Sequence, residues 1–160
     1  MIWQASSTNS DDTEKLGKLL GNRLRGGEVI ELRSDLGGGK TTFVRGLANG
    51  AGSKDRVSSP TFTLSRIYKT KSFEIHHFDF YRLSDPGILA DQLAEAIQDN
   101  NVVVVEWADI VKDVLPEQRI SIEFKPTATS PDERQIDFSY NDNYRDLISY
   151  MESEFGGGKP

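Results

Sequence analysis

Lys40 and Thr41 end a run, Ser34-Asp35-Leu36-Gly37-Gly38-Gly39-Lys40-Thr41-Thr42, whose residue types suit one kind of chemistry. Adjacent glycines let consecutive backbone N–H groups turn inward around phosphate oxygens, where side chains would block them. A helix opening near Lys40 adds unpaired amides and the positive end of its dipole. In such a loop Lys40 reaches the β- and γ-phosphates, and Thr41 sets its hydroxyl on Mg2+. The usual pattern is G-x-x-x-x-G-K-[ST], and its first position holds Ser34 here. Serine is tolerated there if the backbone is extended and is costly if positive φ is needed. The bland alternative is a glycine-rich turn with a chance Lys-Thr. Context decides between them. Glu28 to Arg33 reads as a strand, and Phe43, Val44 and Leu47 carry the spacing of a helix's buried face. Strand, glycine turn and helix in that order favour the phosphate loop.

Other polar residues fall at the ends of apolar runs. Glu106 follows Val102-Val103-Val104-Val105. A carboxylate there can hold Mg2+ directly or through water, or can simply face solvent. Trp107 is either a core or interface aromatic or an aromatic beside the nucleotide. Asp79, in His77-Phe78-Asp79-Phe80-Tyr81-Arg82, can orient or deprotonate water at a γ-phosphate, or cap the next turn. The neighbours His76 and His77 point to opposite faces of an extended strand, so they cannot share one ion and read as structural. Arg82 can neutralise phosphate or form a surface ion pair. Ser58-Ser59-Pro60-Thr61 stands where nucleotide hydrolases carry a mobile switch, and also reads as an ordinary strand lead-in.

The elements that position these residues follow from periodicity. Asp11 and Glu14 suggest a capping box for a helix through Leu16, Leu19, Leu20 and Leu24, ending at Gly26-Gly27. The helix after Lys40 stops at Gly50-Ala51-Gly52. Phe62–Tyr68 and Phe73–Phe80 predict a hairpin turned near Lys69-Thr70-Lys71-Ser72. Asp85-Pro86 opens a helix carrying Leu89, Leu93 and Ile97, and the valine run is a strand buried on both faces. Late strands over Ile120–Phe124 and Gln135–Tyr140 precede a helix with Tyr144, Leu147, Ile148, Met151 and Phe155. This order predicts an α/β sandwich with a mixed, partly antiparallel sheet. One domain over residues 1–155 and a disordered tail over 156–160 are expected.

The chain has 160 residues, a net charge of −6 and no cysteine. That balance opposes grip on nucleic acid by phosphate neutralisation, and disulfides and thiolate metal sites are excluded. Met1 to Asp12 lacks a basic start and an apolar core, and no stretch approaches the roughly 20 apolar residues of a membrane span. A soluble cytoplasmic protein is expected.

Four blocks in series resemble the TsaE family of bacterial ATPases. Its G-D-L-G-A-G-K-T-T loop is matched by Ser34 to Thr42, and its S-P-T-[FY]-T segment by Ser59 to Thr63. Its H-x-D-x-Y-R is matched by His77 to Arg82, and its E-W by Glu106-Trp107. The family's L-P corresponds to Leu115-Pro116, and the likeness runs from about Thr13 to Phe138. Departures are Ser34 for Gly, Gly38 for Ala, and a weakly matching stretch from Gly87 to Asn100. The resemblance implies a three-layer P-loop NTPase-like sandwich and slow, Mg2+-dependent ATP hydrolysis supporting threonylcarbamoyladenosine formation in tRNA. The implied partners are two paralogous threonylcarbamoyl-transferase subunits, not bare RNA. It implies Lys40, Asp79 and Glu106 as catalytic, Thr41 and Glu106 as metal-holding, and Thr13 near the adenine. Leu36, Gly37, Gly38, Gly39, Lys40, Thr41 and Thr42 complete the cofactor-binding set with Thr13 and Trp107. Two rivals stand. A small-molecule kinase needs an arginine-bearing lid, yet Arg119 and Arg134 are isolated and Asp85 to Gln98 contains no Arg or Lys. A non-hydrolysing nucleotide scaffold would follow if Ser34 spoils the loop.

Overall fold

Two periodicities divide the chain. Runs of period two form strands β1 (Ile2–Ser7), β2 (Val29–Arg33), β3 (Ser65–Lys69), β4 (Glu74–Asp79), β5 (Val102–Glu106), β6 (Ile120–Pro126) and β7 (Arg134–Ser139). Helical spacing forms α1 (Ser10–Gly21), α2 (Lys40–Gly50), α3 (Gly87–Gln98) and α4 (Arg145–Gly156). The computed structural model describes residues 1–35 and 37–156. Leu36, expected in the cofactor-binding stretch, and residues 157–160 of the expected tail lie outside the described residues.

The strands make one sheet in the order β1-β7-β6-β2-β5-β4-β3. Its centre is parallel, with β2 between β5 and β6 and β4 beside β5. Both margins are antiparallel, through β3–β4 on one side and β6–β7–β1 on the other. The mixed sheet and the hairpin agree with the sequence reading. Alternation along β5 divides the core. Val102 and Val104 join the cluster that also holds Leu16, Phe43 and Met151 from α1, α2 and α4. Val103 and Val105 join Leu93 and Ala96 from α3 on the other face. Helices thus cover both faces, giving three layers.

Some boundaries differ from the sequence reading. β1 was not foreseen because Ile-Trp-Gln-Ala-Ser-Ser is half polar and lacks apolar alternation; as an edge strand it buries only Ala5 and Ser7. The cap of α1 is Asn9, not Asp11, and it accepts from the Asp12 amide at 2.9 Å. Asp12 answers by accepting from the Thr8 amide and hydroxyl, so a reciprocal cap exists two residues earlier than expected. α1 ends at Gly21, before Gly26-Gly27. β3 begins at Ser65, because the chain turns over Thr61–Thr63 and Leu64 takes φ 70. Gly156 is helical and closes α4 instead of opening a tail.

The contact that sets α1 against the glycine loop is backbone on backbone. A methyl built on Gly46 would lie 2.0 Å from the Glu14 carbonyl oxygen, and one on Gly17 would lie 2.1 Å from that of Phe43. Only hydrogen fits at these two places. One turn before Gly17, Thr13 is thereby brought beside the start of α2: a methyl on Gly39 would sit 3.7 Å from its Cγ2. Gly46→Ala should therefore lower stability although alanine is the better helix former. Overpacking of about 1–3 kcal/mol outweighs a propensity gain of about 1 kcal/mol. Thermal unfolding should show a midpoint lower by a few degrees, while Asn49→Ala on the exposed face of α2 should leave it unchanged or raised. Equal midpoints for the two variants would contradict the close packing.

Candidate functional site

Parallel strands that run the same way end at the same edge, and here those ends carry the chemistry. Asp79 closes β4 and Glu106 closes β5, and the two are register partners. β2 ends beside them, with Leu32 opposite Glu106, and feeds the glycine loop. Gly39 caps α2 at φ 98 with no side-chain acceptor. The amides of the helix's first turn have no partner within the helix and face the same edge. The result is a cleft of about 290 Å3, lined by the loop glycines, Lys40, Thr41, Thr42, Ser59, Thr61, Asp79, Glu106 and Trp107. Every described residue of the expected catalytic and metal-holding sets is there.

Glu106 is 3% exposed, and its two oxygens have separate partners. Oε2 lies 2.5 Å from His77 Nε2, and Oε1 lies 3.5 Å from Lys40 Nζ. Burial works to raise the Glu106 carboxyl. The hydrogen bond and charge at His77, followed by the Lys40 ammonium, outweigh it and hold the group below the usual carboxylate range. Lys40, only 7% exposed, also donates to the Ser34 carbonyl at 3.2 Å and sits 4.8 Å from the centre of the Trp107 ring. Trp107 takes φ 57 and ψ 54, a left-handed turn that aims the chain away from the sheet while the indole lies back over Lys40. Tyr81 packs against the same indole at 4.8 Å between ring centres. Trp107 therefore borders the cleft.

Asp79 lines the cleft and is held through both carboxylate oxygens. Oδ1 accepts from the Tyr81 amide at 2.9 Å, which caps the turn, and Oδ2 accepts from the Thr61 hydroxyl at 2.8 Å. Ser59 Oγ lies 2.8 Å from the same hydroxyl. Arg82 does not line the cleft; its guanidinium lies 4.3 Å over the Phe62 ring. The two histidines do face opposite ways. His76 pairs with Glu74, whereas His77 is fully buried behind the cleft. Sequence reasoning gave His77 only a structural role. The available signal was its spacing of two from Asp79, which puts both on one face of β4.

Thr13 lies across the glycine loop. It borders a second hollow of about 310 Å3 with Asn9, Ser10, Gly37, Gly38, Gly39, Thr42, Asp132 and Arg134. Its own hydroxyl is buried, 2.7 Å from Ser7 Oγ. Asp132 and Arg134, from the β6–β7 connection and the start of β7, were missed because nothing local links them to a loop a hundred residues earlier.

The two positions at which the glycine loop departs from the resembled pattern lie against each other. A methyl on Gly38 would fall 2.3 Å from Ser34 Oγ and 2.7 Å from Ser34 Cβ. The serine side chain occupies the room an alanine at 38 would need, and its hydroxyl donates to the Asp35 carbonyl at 2.8 Å.

A glycine-rich loop between a buried parallel strand and a helix, with acids at the adjacent strand ends, defines a P-loop NTPase-like sandwich. The family model for "Threonylcarbamoyl adenosine biosynthesis protein TsaE" matches residues 7–136. The chain belongs to the TsaE family. It is 34% identical over 142 residues to the tRNA threonylcarbamoyladenosine biosynthesis protein TsaE of Bacillus subtilis, covering 89% of this chain and 88% of that one. Its likeness to the Rickettsia felis protein of the same name is 32% over 146 residues, covering 91% and 84%. The crystal structure of Bacillus subtilis YdiB matches the fold with a TM-score of 0.78 at 30% identity, covering 96% of each chain.

Gly38→Ala alone should weaken nucleotide binding, because the new methyl displaces Ser34 or the loop. Ser34→Gly alone should leave affinity within a few-fold, and Ser34→Gly with Gly38→Ala should restore it. Titration of the four proteins with a fluorescent nucleotide measures this cycle. Additive losses in the double variant would separate the two positions.

Proposed function

We propose that this chain binds ATP with Mg2+ in the cleft, hydrolyses it slowly, and so supports tRNA threonylcarbamoyladenosine biosynthesis in the cytoplasm. The observation that carries this reading is the convergence of Lys40, Thr41, Asp79 and Glu106 on one glycine-lined cleft at the carboxyl edge of the parallel strands. Two adjoining hollows share Gly37, Gly38, Gly39 and Thr42. That division suits a triphosphate on one side of the loop and a nucleoside on the other.

The donor set fits a hard divalent ion, since a threonine hydroxyl and an ionised carboxylate are oxygen ligands. Among the described residues no group of three or more His, Cys, Asp or Glu could hold a metal alone. Mg2+ takes one or two protein oxygens and completes its shell with phosphate and water. Thr41 and Glu106 would hold it, and bound there it neutralises charge on the β- and γ-phosphates. In this mechanism Lys40 exchanges the Ser34 carbonyl and Glu106 for phosphate oxygens. The loop amides and the start of α2 fix the phosphate chain. Asp79, steadied by Thr61, orients the water that attacks the γ-phosphorus.

Among the described residues lining the cleft there is no arginine. A cationic group supplied by a partner is worth on the order of 10³–10⁵ in rate, so slow turnover alone and faster turnover in complex follow. The acidic chain repels tRNA phosphate, so the threonylcarbamoyl-transferase proteins are the proposed partners. The kinase reading finds no cationic lid in α3. The scaffold reading rested on Ser34, which Gly38 accommodates.

Three variants test the roles. Lys40→Ala should weaken ATP binding roughly ten- to a hundredfold, the value of a charge-assisted contact. Because Lys40 is buried and paired, its unfolding midpoint belongs beside the binding curve. Asp79→Asn should retain affinity and slow phosphate release by about 10²–10⁴-fold, whereas Glu106→Ala should weaken the Mg2+-dependent part of binding. Wild-type affinity and turnover in folded Lys40→Ala would defeat the assignment, and a reversed pattern for the acids would exchange their roles.

A further inference from the structure

Behind the cleft, buried hydrogen bonds run from Glu106 to the main chain ahead of Thr61. His77 lies 2.5 Å through Nε2 from Glu106 and 3.3 Å through Nδ1 from the Tyr68 hydroxyl. Tyr68, 1% exposed, donates that hydroxyl to the Ser58 carbonyl at 3.0 Å. The three side chains come from β3, β4 and β5, neighbouring strands of the sheet, and share the face that α2 covers. Three residues after Ser58, Thr61 is held directly by Asp79. The segment 58–61 is therefore gripped at both ends by the two cleft carboxylates. One grip is direct, and the other passes through a histidine and a tyrosine that do not line the cleft. Between this grip and β3 stands Phe62, which is 79% exposed.

We propose that Tyr68 and His77 are positioning residues that join Glu106 to the Ser58–Thr61 segment as one unit. Whatever engages the two carboxylates then also sets the position of that segment and of the aromatic it presents. Only the identity of the engaging ligand rests on the Mg2+–nucleotide reading. The tie itself is made of protein groups alone and can be measured without nucleotide.

The test is a double-mutant cycle read by amide hydrogen exchange over residues 57–64, with no nucleotide present. Tyr68→Phe removes one hydroxyl and keeps the ring, and Glu106→Ala removes the far end of the chain. Each should raise exchange in this segment roughly threefold to tenfold, the value of one hydrogen bond. The double variant should raise it no further than the larger single effect, because both cut the same connection. Glu106→Ala leaving the segment at its wild-type rate, or effects that multiply, would overturn the proposal. Should either variant not fold, His77→Asn cuts the chain at its middle, with the same rise expected and an unchanged rate contradicting it. A second arm adds Mg2+ and ATP. Nucleotide should alter exchange over 57–64 in the wild type, and Tyr68→Phe should blunt that response. A wild type that binds no nucleotide would defeat the reading of the cleft, while the nucleotide-free cycle would still decide the tie.

Discussion

A carboxylate buried at the end of a hydrophobic strand cannot stand alone, and the site is arranged around that constraint. Burial alone drives Glu106 toward its neutral acid form. His77 from β4 and Lys40 from α2 keep it charged, one on each oxygen. Three separate elements thus meet at one residue of β5. Lys40 in turn fixes the glycine loop through the Ser34 carbonyl. The Lys40 ammonium is shared among the Glu106 carboxylate, the Ser34 carbonyl and the face of Trp107, contacts that phosphate oxygens can replace.

The second constraint is steric and acts on backbones. Helix α1 lies close against α2 because Gly17, Gly21, Gly46 and Gly50 each leave room for a backbone carbonyl of the other helix. The same logic operates inside the loop, where the volume of Ser34 is taken from Gly38. In both places a side chain is absent where neighbouring atoms leave no room for one. The buried network through His77 and Tyr68 extends that rigidity from the carboxylates to segment 58–61.

Features written in consecutive residues were legible in the sequence. The glycine run, the four valines, the hairpin and the helical stripes each carry their period locally, so the fold class and the cleft residues followed. What depended on register or closure did not. β1 was hidden because an edge strand needs only one apolar face. The role of His77 follows from β4 lying beside β5, a pairing across about thirty residues that no local pattern fixes. The coupling of Ser34 with Gly38 exists only once the loop has closed on itself. Asp132 and Arg134 reach the second hollow through the sheet, far from the loop in sequence.

The claim on which the account stands is that ATP and Mg2+ occupy the cleft together, and Trp107 offers a direct reporter of it. In a Trp3→Phe background Trp107 is the remaining tryptophan, with the Lys40 ammonium 4.8 Å from its ring. Its emission should change as ATP is titrated, because Lys40 moves from the indole and Glu106 to phosphate. The apparent affinity should be higher in Mg2+ than in a chelator. Emission and titration heat both unchanged by ATP at millimolar concentration, with or without Mg2+, would contradict the account.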